Sequence, residues 1–353
     1  MKKAVLVNPA APIGGYKDCY FGEKRPPLGI AFLAAILMKD DWEVDIIDRY
    51  LNPTKSFNPE RYDFIGISIN TPCLQDAVNL IKDIKHPNLA IGGPHLALYP
   101  DFFPKGVRIV VVGEGEEVIS QIANGSLNGI VKAVRIKDLD ELPYIPYNKF
   151  IHNSYDKTTP FGLSNVLSIN SSRGCPFRCS FCVVKYLFPG TPRFMSAERI
   201  YEELKFYQKE YGIDGIYFRE DNFFISKRRV RKFCDLILQD NNPIRWVAEM
   251  RVDAADLEML KLIKCAGCIG LYVGFESGSQ RMLDIYKKDI TVEQSEEFAD
   301  WCHQIDLSFA ASFIEFHPDE TKEDRILSNQ LINKIKARYV WMNRWREWSL
   351  PNE

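Results

Sequence analysis

The sequence predicts an α/β protein in two parts, an N-terminal doubly wound parallel sheet followed by a partial β/α barrel. Short β-branched runs alternate with apolar stretches of helical length, the runs themselves are almost continuously hydrophobic, and a weakly periodic stretch with prolines divides the pattern into two series. At 353 residues the chain is long enough to bury two cores. Its 46% hydrophobic and 26% charged residues, with 45 Lys+Arg against 47 Asp+Glu, match an ordinary soluble globular protein. That balance disfavours disorder, collagen and a strongly basic nucleic-acid binder.

In the first series the strand runs are AVLV (4–7), VDII (44–47), FIGISI (64–69), LAIGG (89–93) and VRIVVV (107–112). Leu28 to Lys39 and Leu74 to Ile84 have helical length, and the continuous apolar runs suit a sheet covered on both faces. Residues 1–125 are therefore a Rossmann-like domain and 126–162, containing DLDELPYIPY, a linker. From 163 to 353 a second series runs NVLSI (165–169), GIYF (215–218), IRWVAEM (244–250), IGLYVGF (269–275) and LSFAASFI (307–314), with RYVWMN (338–343) as a sixth candidate. Helical stretches follow the first five, as in a β/α barrel.

The N-terminal apolar run of four residues, broken by Asn8 and Pro9, is too short for an export signal. The longest apolar stretch, Leu28 to Met38, falls far short of the roughly 20 residues that span a bilayer. Nine cysteines at uneven spacing read as thiols or metal ligands in a reducing, cytoplasmic compartment.

The chemistry concentrates in SRGCPFRCSFC, where Cys175, Cys179 and Cys182 stand at C-x-x-x-C-x-x-C spacing just after the first strand of the second series. Three thiolates on one tight loop can hold three irons of a 4Fe-4S cluster and leave the fourth open. Zinc needs a fourth ligand, and no matching pair lies close in sequence. Cys265 and Cys268 form a C-x-x-C with no second pair, read as plain thiols; Cys19, Cys73, Cys234 and Cys302 are scattered, the first two on ligand-facing loops.

CPFRCSFC resembles the cluster loop of the radical S-adenosylmethionine (SAM) enzymes. AGCIGLYVGFESGSQRML (266–283) is similar to that family's fourth-strand segment, and DLDELPYIPY, RPPLGIAFLAAIL (25–37), IGGPH (91–95) and VVVGEGEEVI (110–119) resemble its cobalamin-binding-domain subgroup. The match runs from about residue 3 to about residue 335. The resemblance implies that the open iron binds SAM and that one electron from the cluster cleaves it to a deoxyadenosyl radical. It also implies a one-electron reductant such as flavodoxin or ferredoxin.

Carried over to this chain, the family's SAM contacts fall on Phe181 beside adenine, Glu220 and Asp221 near the methionine ammonium, Glu276 and Ser277 at the ribose, and Ile314 at adenine. Arg251 falls where it can pair with substrate or the methionine carboxylate; alternatively it caps a helix start near Asp253. Glu220 and Asp221 have a bland alternative as solvated residues at the barrel mouth. The fifth-strand SFIEFHPDET departs from the family's FxxGxPGET: Glu315 sits where glycine is common and Asp319 replaces the second glycine.

Asn8 to Arg25 contains no histidine, so a lower-axial protein imidazole is not expected on cobalamin, as is usual in this subgroup. The implied cobalamin contacts are Asn8, Ser68, Asn70, Gly92, Gly93, Gly113 and Glu114; the alternative is a domain that keeps the fold without the cofactor. His95 reads as structural, with a polar ligand contact as the alternative. The function implied is cobalamin-dependent methyl transfer to an unactivated carbon or phosphorus centre of a small or lipid-like substrate. Two alternatives stand beside it, a radical rearrangement, cyclisation or oxidation with the first domain as scaffold, and a non-catalytic descendant. The altered fifth strand and an end at Glu353, short of the further segment many relatives possess, keep the last one open. Nucleic acid is disfavoured as a partner because no basic footprint is present.

Overall fold

The computed structural model describes residues 1–11, 24–150 and 155–345. The chain divides into two compact units, Met1–Asp156 and Lys157–Ser349. Cys19 lies outside the described residues.

In the first unit β1 (Lys3–Asn8), α1 (Leu28–Lys39), β2 (Glu43–Asp48), β3 (Phe64–Ser68), α2 (Leu74–Asp83), β4 (Leu89–Gly92), α3 (Pro94–Leu98), β5 (Ile109–Val112), α4 (Ile119–Ala123) and β6 (Gly129–Lys132) follow one another. The six strands are parallel in the order β2-β1-β3-β4-β5-β6. Strand alternation sends Ala4 and Leu6 to a core with Ile30, Ala34 and Leu37 of α1. It sends Val5 and Val7 to the opposite core with Ala77 and Ile81 of α2. Full burial of each such valine or leucine contributes about 1.5–3 kcal/mol, which is why both faces read as apolar in sequence. β6 falls in the stretch read as linker; as a four-residue edge strand with alternating exposure, it has no continuous apolar run to reveal it.

In the second unit the order is β7 (Val166–Ile169), β8 (Ser172–Arg173), α5 (Val184–Leu187), β9 (Arg193–Phe194), α6 (Ala197–Tyr211), β10 (Gly215–Phe218), α7 (Lys227–Leu238), β11 (Arg245–Arg251), α8 (Leu257–Cys265), β12 (Cys268–Glu276), α9 (Gln280–Ile285), α10 (Val292–Gln304), β13 (Ser308–Glu315), α11 (Lys322–Ile335) and β14 (Tyr339–Arg344). Six parallel strands, β14-β13-β12-β11-β10-β7, form a curled half-barrel, and β8 and β9 pair antiparallel.

Ser196, Ser226, Asp256, Ser279, Thr291 and Thr321 each accept a backbone N–H in the first turn of the helix that follows, a cap worth about 1 kcal/mol. On the helix-covered face Trp246 packs edge-on against Phe218 and Phe233. On the other face Tyr217 stacks on Tyr272 with centroids 4.8 Å apart. Strand pleating thus places Val247, Glu249 and Arg251 of β11 on the concave side.

Candidate active site

β7 delivers the chain to the cysteine loop, and the β8–β9 pair closes the loop's base through Ser172 opposite Phe194 and Arg173 opposite Arg193. Cys175, Cys179 and Cys182 are unpaired thiols, Cys179 buried and the other two half-buried. Cys182 N–H donates to the Cys179 carbonyl at 3.2 Å, turning the loop on itself. Burial, with Asp221 and the neighbouring thiols adding like charge, pushes the Cys182 thiol up to about 12. A cluster that binds this loop would therefore displace the thiol protons. Among the described residues no three metal-ligating side chains converge as on a single ion. Three thiols on one loop suit a 4Fe-4S cluster, in which each thiolate binds a separate iron.

Below the loop, Glu220 is buried and fully engaged. It accepts from the Ser171 hydroxyl at 2.6 Å and from the Ser172 hydroxyl, and it faces Arg229 at 3.7 Å. Arg229 in turn donates to the Ser171 carbonyl at 2.8 Å and the Phe223 carbonyl at 3.0 Å. Glu220 therefore anchors the start of the cysteine loop, because every buried lone pair must find a donor and the two serines supply them. Asp221, half-buried beside it, accepts the Gly174 N–H at 3.1 Å, and burial pushes its carboxyl up to about 6.

Arg251, the last residue of β11, is buried, and its donors are largely committed. Nε and Nη2 reach the two Asp253 oxygens at 2.9 and 3.2 Å, Nη2 also meets the Lys288 carbonyl, and Nη1 lies 3.3 Å from Cys179 Sγ. The guanidinium stacks 3.7 Å from the centre of the Phe177 ring. Arg251 stands at the start of the short turn Val252–Ala254 without capping it through its side chain, and its guanidinium goes to Asp253, Lys288 and Cys179 instead.

Glu276 sits at φ +67 and pairs with Lys288 at 2.8 Å, both buried. Gly274 makes room for the pair: a Cβ there would lie 2.3 Å from Glu276 Oε1 and 2.9 Å from Lys288 Nζ. Ser277 shares a hydrogen bond with Ser328 at 3.2 Å and accepts the Ser279 N–H at 3.1 Å. Both side chains thus brace the end of β12 against neighbouring chain. Phe181 meets Tyr286 edge-on at 5.7 Å, and both join Ile314 in one apolar cluster. At the end of β13 the left-handed residue is Phe316 (φ +63), while Glu315 stays in the strand. The turn made without glycine costs about 1–3 kcal/mol.

The structure therefore gathers Cys175, Cys179, Cys182, Phe181, Asp221 and Arg251 around one loop, with Ile314 at its apolar margin. It also reveals Glu249, Lys288 and Asp253. Glu249 had a sequence signal, a carboxylate inside the apolar run IRWVAEM; Lys288 had none. Cys265 is exposed and Cys268 is buried.

In the first unit the strand order reverses between β1 and β3, the switch point where open α/β sheets bind ligands. Ser68 is half-buried and Asn70 exposed at that end. Asn8 is buried and donates to Asp48 Oδ1 at 2.8 Å; buried Glu114 accepts the Ile136 N–H at 3.2 Å. Gly92 is half-buried, and Gly113 is exposed after β5. Gly93, at φ +101, is crowded by its own chain, since a Cβ would meet Ile69 N at 2.7 Å. Packing between the β3 and β4 ends therefore requires glycine at this position. His95 is buried against Tyr99 and shares a hydrogen bond with Thr71.

The radical SAM superfamily pattern matches residues 169–331 and the B12 binding domain pattern matches residues 20–123. An uncharacterized methyltransferase of Pyrococcus horikoshii is 32% identical over 355 residues, covering 90% of this chain and 75% of the relative. The chain belongs to the radical SAM superfamily. It is also similar to an anaerobic magnesium-protoporphyrin IX monomethyl ester cyclase of Cereibacter sphaeroides, at 23% identity over 99% of this chain and 61% of the cyclase. Among solved structures, the radical SAM methyltransferase TsrM of Kitasatospora setae, with cobalamin and a 4Fe-4S cluster bound, superimposes with a TM-score of 0.71 at 18% identity, over 98% of this chain and 72% of that one. OxsB, a cobalamin-dependent SAM radical enzyme, gives 0.64 at 18% identity over 94% of this chain and 52% of its own. These two share the fold. Among the described residues no helix is long and apolar enough to cross a membrane.

Proposed function

We propose that this radical SAM enzyme transfers a methyl group to an unactivated carbon or phosphorus centre of a small or lipid-like substrate, with cobalamin carried by the first unit. The observation that carries the reading is the three-cysteine loop beside Phe181 and Asp221, in a chain whose other unit has a ligand-binding switch point. When bound, the cluster and SAM supply a deoxyadenosyl radical and cobalamin supplies the methyl group.

The chain's own residues do the positioning. Cys175, Cys179 and Cys182 would hold the cluster, Phe181 and Ile314 would flank adenine, and Asp221, whose carboxyl burial pushes up to about 6, would face the methionine ammonium. Ser68, Asn70 and Gly92 would hold cobalamin at the β1/β3 switch point. A low-potential carrier such as flavodoxin or ferredoxin delivers the electron, and a reducing cytoplasm is the setting.

The test is iron and cobalt content of protein made with cobalamin and purified without oxygen, followed by product analysis. About four irons and one cobalt per chain, with S-adenosylhomocysteine and deoxyadenosine formed in comparable amounts, support methyl transfer. Deoxyadenosine with no methylated product across candidate substrates overturns it. A second reading, radical cyclisation or oxidation, is favoured by the similarity to the cyclase, and iron without cobalt brings it forward.

A further inference from the structure

The geometry points to Arg251 as a positioning residue of the cluster: its guanidinium donates an N–H···S bond to Cys179 and thereby raises the cluster's reduction potential, rather than binding SAM. This inference rests on the proposed cluster being held by the cysteine loop.

A guanidinium has five N–H donors and no acceptor. Four are placed: two on Asp253, one on the Lys288 carbonyl and one on Cys179 Sγ at 3.3 Å. One face is closed by Phe177, two residues before Cys179 in the loop. The bidentate Asp253 contact fixes the plane of the fork, so the direction of the N–H toward sulfur is set by structure outside the loop. Arg251 is 4% exposed, which leaves little approach for a carboxylate.

The surroundings hold this arrangement from the opposite side. The loop's Ser180 donates its N–H to the Tyr286 carbonyl at 2.8 Å and its hydroxyl to the Ile285 carbonyl at 3.1 Å. Lys288, whose carbonyl takes the Arg251 N–H, is itself tied to Glu276. Gly274 is the cross-strand partner of Arg251 and leaves the space in which that tie lies. Lys287 and Asp289 both adopt left-handed backbone, an arrangement that persists where surrounding contacts over-determine it. Cys179 thus has a charged donor built in advance. Hydrogen bonds to cluster sulfurs stabilise the reduced, more negative state and so raise the potential.

The experiment uses the reconstituted full chain, with iron content establishing first that wild-type protein holds a cluster. Absence of iron there defeats the underlying reading and not this one. EPR-monitored titration without SAM then compares wild type with Arg251→Lys, which keeps the positive charge but not the planar fork. The expected result is a drop of threefold or more in the ratio of reduced to oxidised cluster at a fixed potential, where tenfold corresponds to 59 mV for one electron, with SAM affinity changed less than twofold. An unchanged ratio overturns the inference, and an unchanged ratio with SAM affinity weakened tenfold assigns Arg251 to the methionine carboxylate instead. Wild-type protein labelled with 15N-arginine gives a reading that needs no Arg251 variant. A 15N hyperfine coupling in the spectrum of the reduced cluster that survives Arg178→Lys is expected, and its absence overturns the inference even where Arg251→Lys fails to take up iron.

Discussion

Tyr217 donates its hydroxyl to Glu249 Oε1 at 2.5 Å on the concave face of the half-barrel. Burial pushes this carboxyl up to about 8; the Tyr217 bond and the charge of Arg219 oppose the shift, while Asp221 and Glu220 add to it. The folded chain keeps the proton to about pH 8, whereas an unfolded carboxyl releases it near 4.5, so folding takes up a proton between these values and stability falls as pH rises through that window. Each unit of the difference is about 1.4 kcal/mol. Glu249→Gln, still able to accept from Tyr217, is therefore expected to gain stability over wild type as pH rises from 5.5 to 8. Thermal melts of both proteins check this, and parallel pH profiles contradict it.

Arg229 is the buried cation facing Glu220. Arg229→Met leaves an uncompensated buried carboxylate and is expected to cost about 3–5 kcal/mol, with Arg229→Met/Glu220→Leu recovering part of the loss. Urea denaturation measures both. If the double variant is as unstable as the single one, the ion pair is not the source of the cost.

Gly93 and Gly29 should respond oppositely to alanine. At Gly93 a Cβ meets backbone at 2.7 Å with φ at +101, so Gly93→Ala is expected to lose about 2 kcal/mol or more. At Gly29, in the first turn of α1, a Cβ meets nothing within 4 Å, and alanine is expected to be neutral or to add about 0.5–1 kcal/mol. Denaturation midpoints of the two variants decide it.

Cys265→Ser should leave iron content unchanged, because Cys265 is exposed and stands outside the cysteine loop. The triple Cys175, Cys179, Cys182→Ala variant should lose the brown colour and all SAM cleavage. A loss of iron in Cys265→Ser would give the C-x-x-C a metal role after all.

Much of this organisation is local and therefore legible. Leu28 to Lys39 has the length and apolar content of α1, and it forms that helix. GIYF forms β10 because each residue is buried, as a strand covered on both faces demands. The spacing of Cys175, Cys179 and Cys182 puts three thiols on one loop, as the structure places them. β6 escaped because a short edge strand carries no continuous apolar run. Phe316 rather than Glu315 makes the tight turn because backbone direction at the end of β13 depends on where the strand stops.

The partners of buried polar groups were beyond the sequence. Glu220 belongs to Ser171, Ser172 and Arg229, Ser277 to Ser328, Glu276 to Lys288, and Arg251 to Asp253, Lys288 and Cys179. Several of these pairings join residues on different strands and loops, so they exist only once the parallel register is set. Periodicity and motif spacing report what a segment does by itself: which face is apolar, where a helix starts, where a sulfur can stand. Which donor meets which acceptor is a condition on the whole unit, because each buried polar atom must be satisfied by whatever the neighbouring strand brings to it.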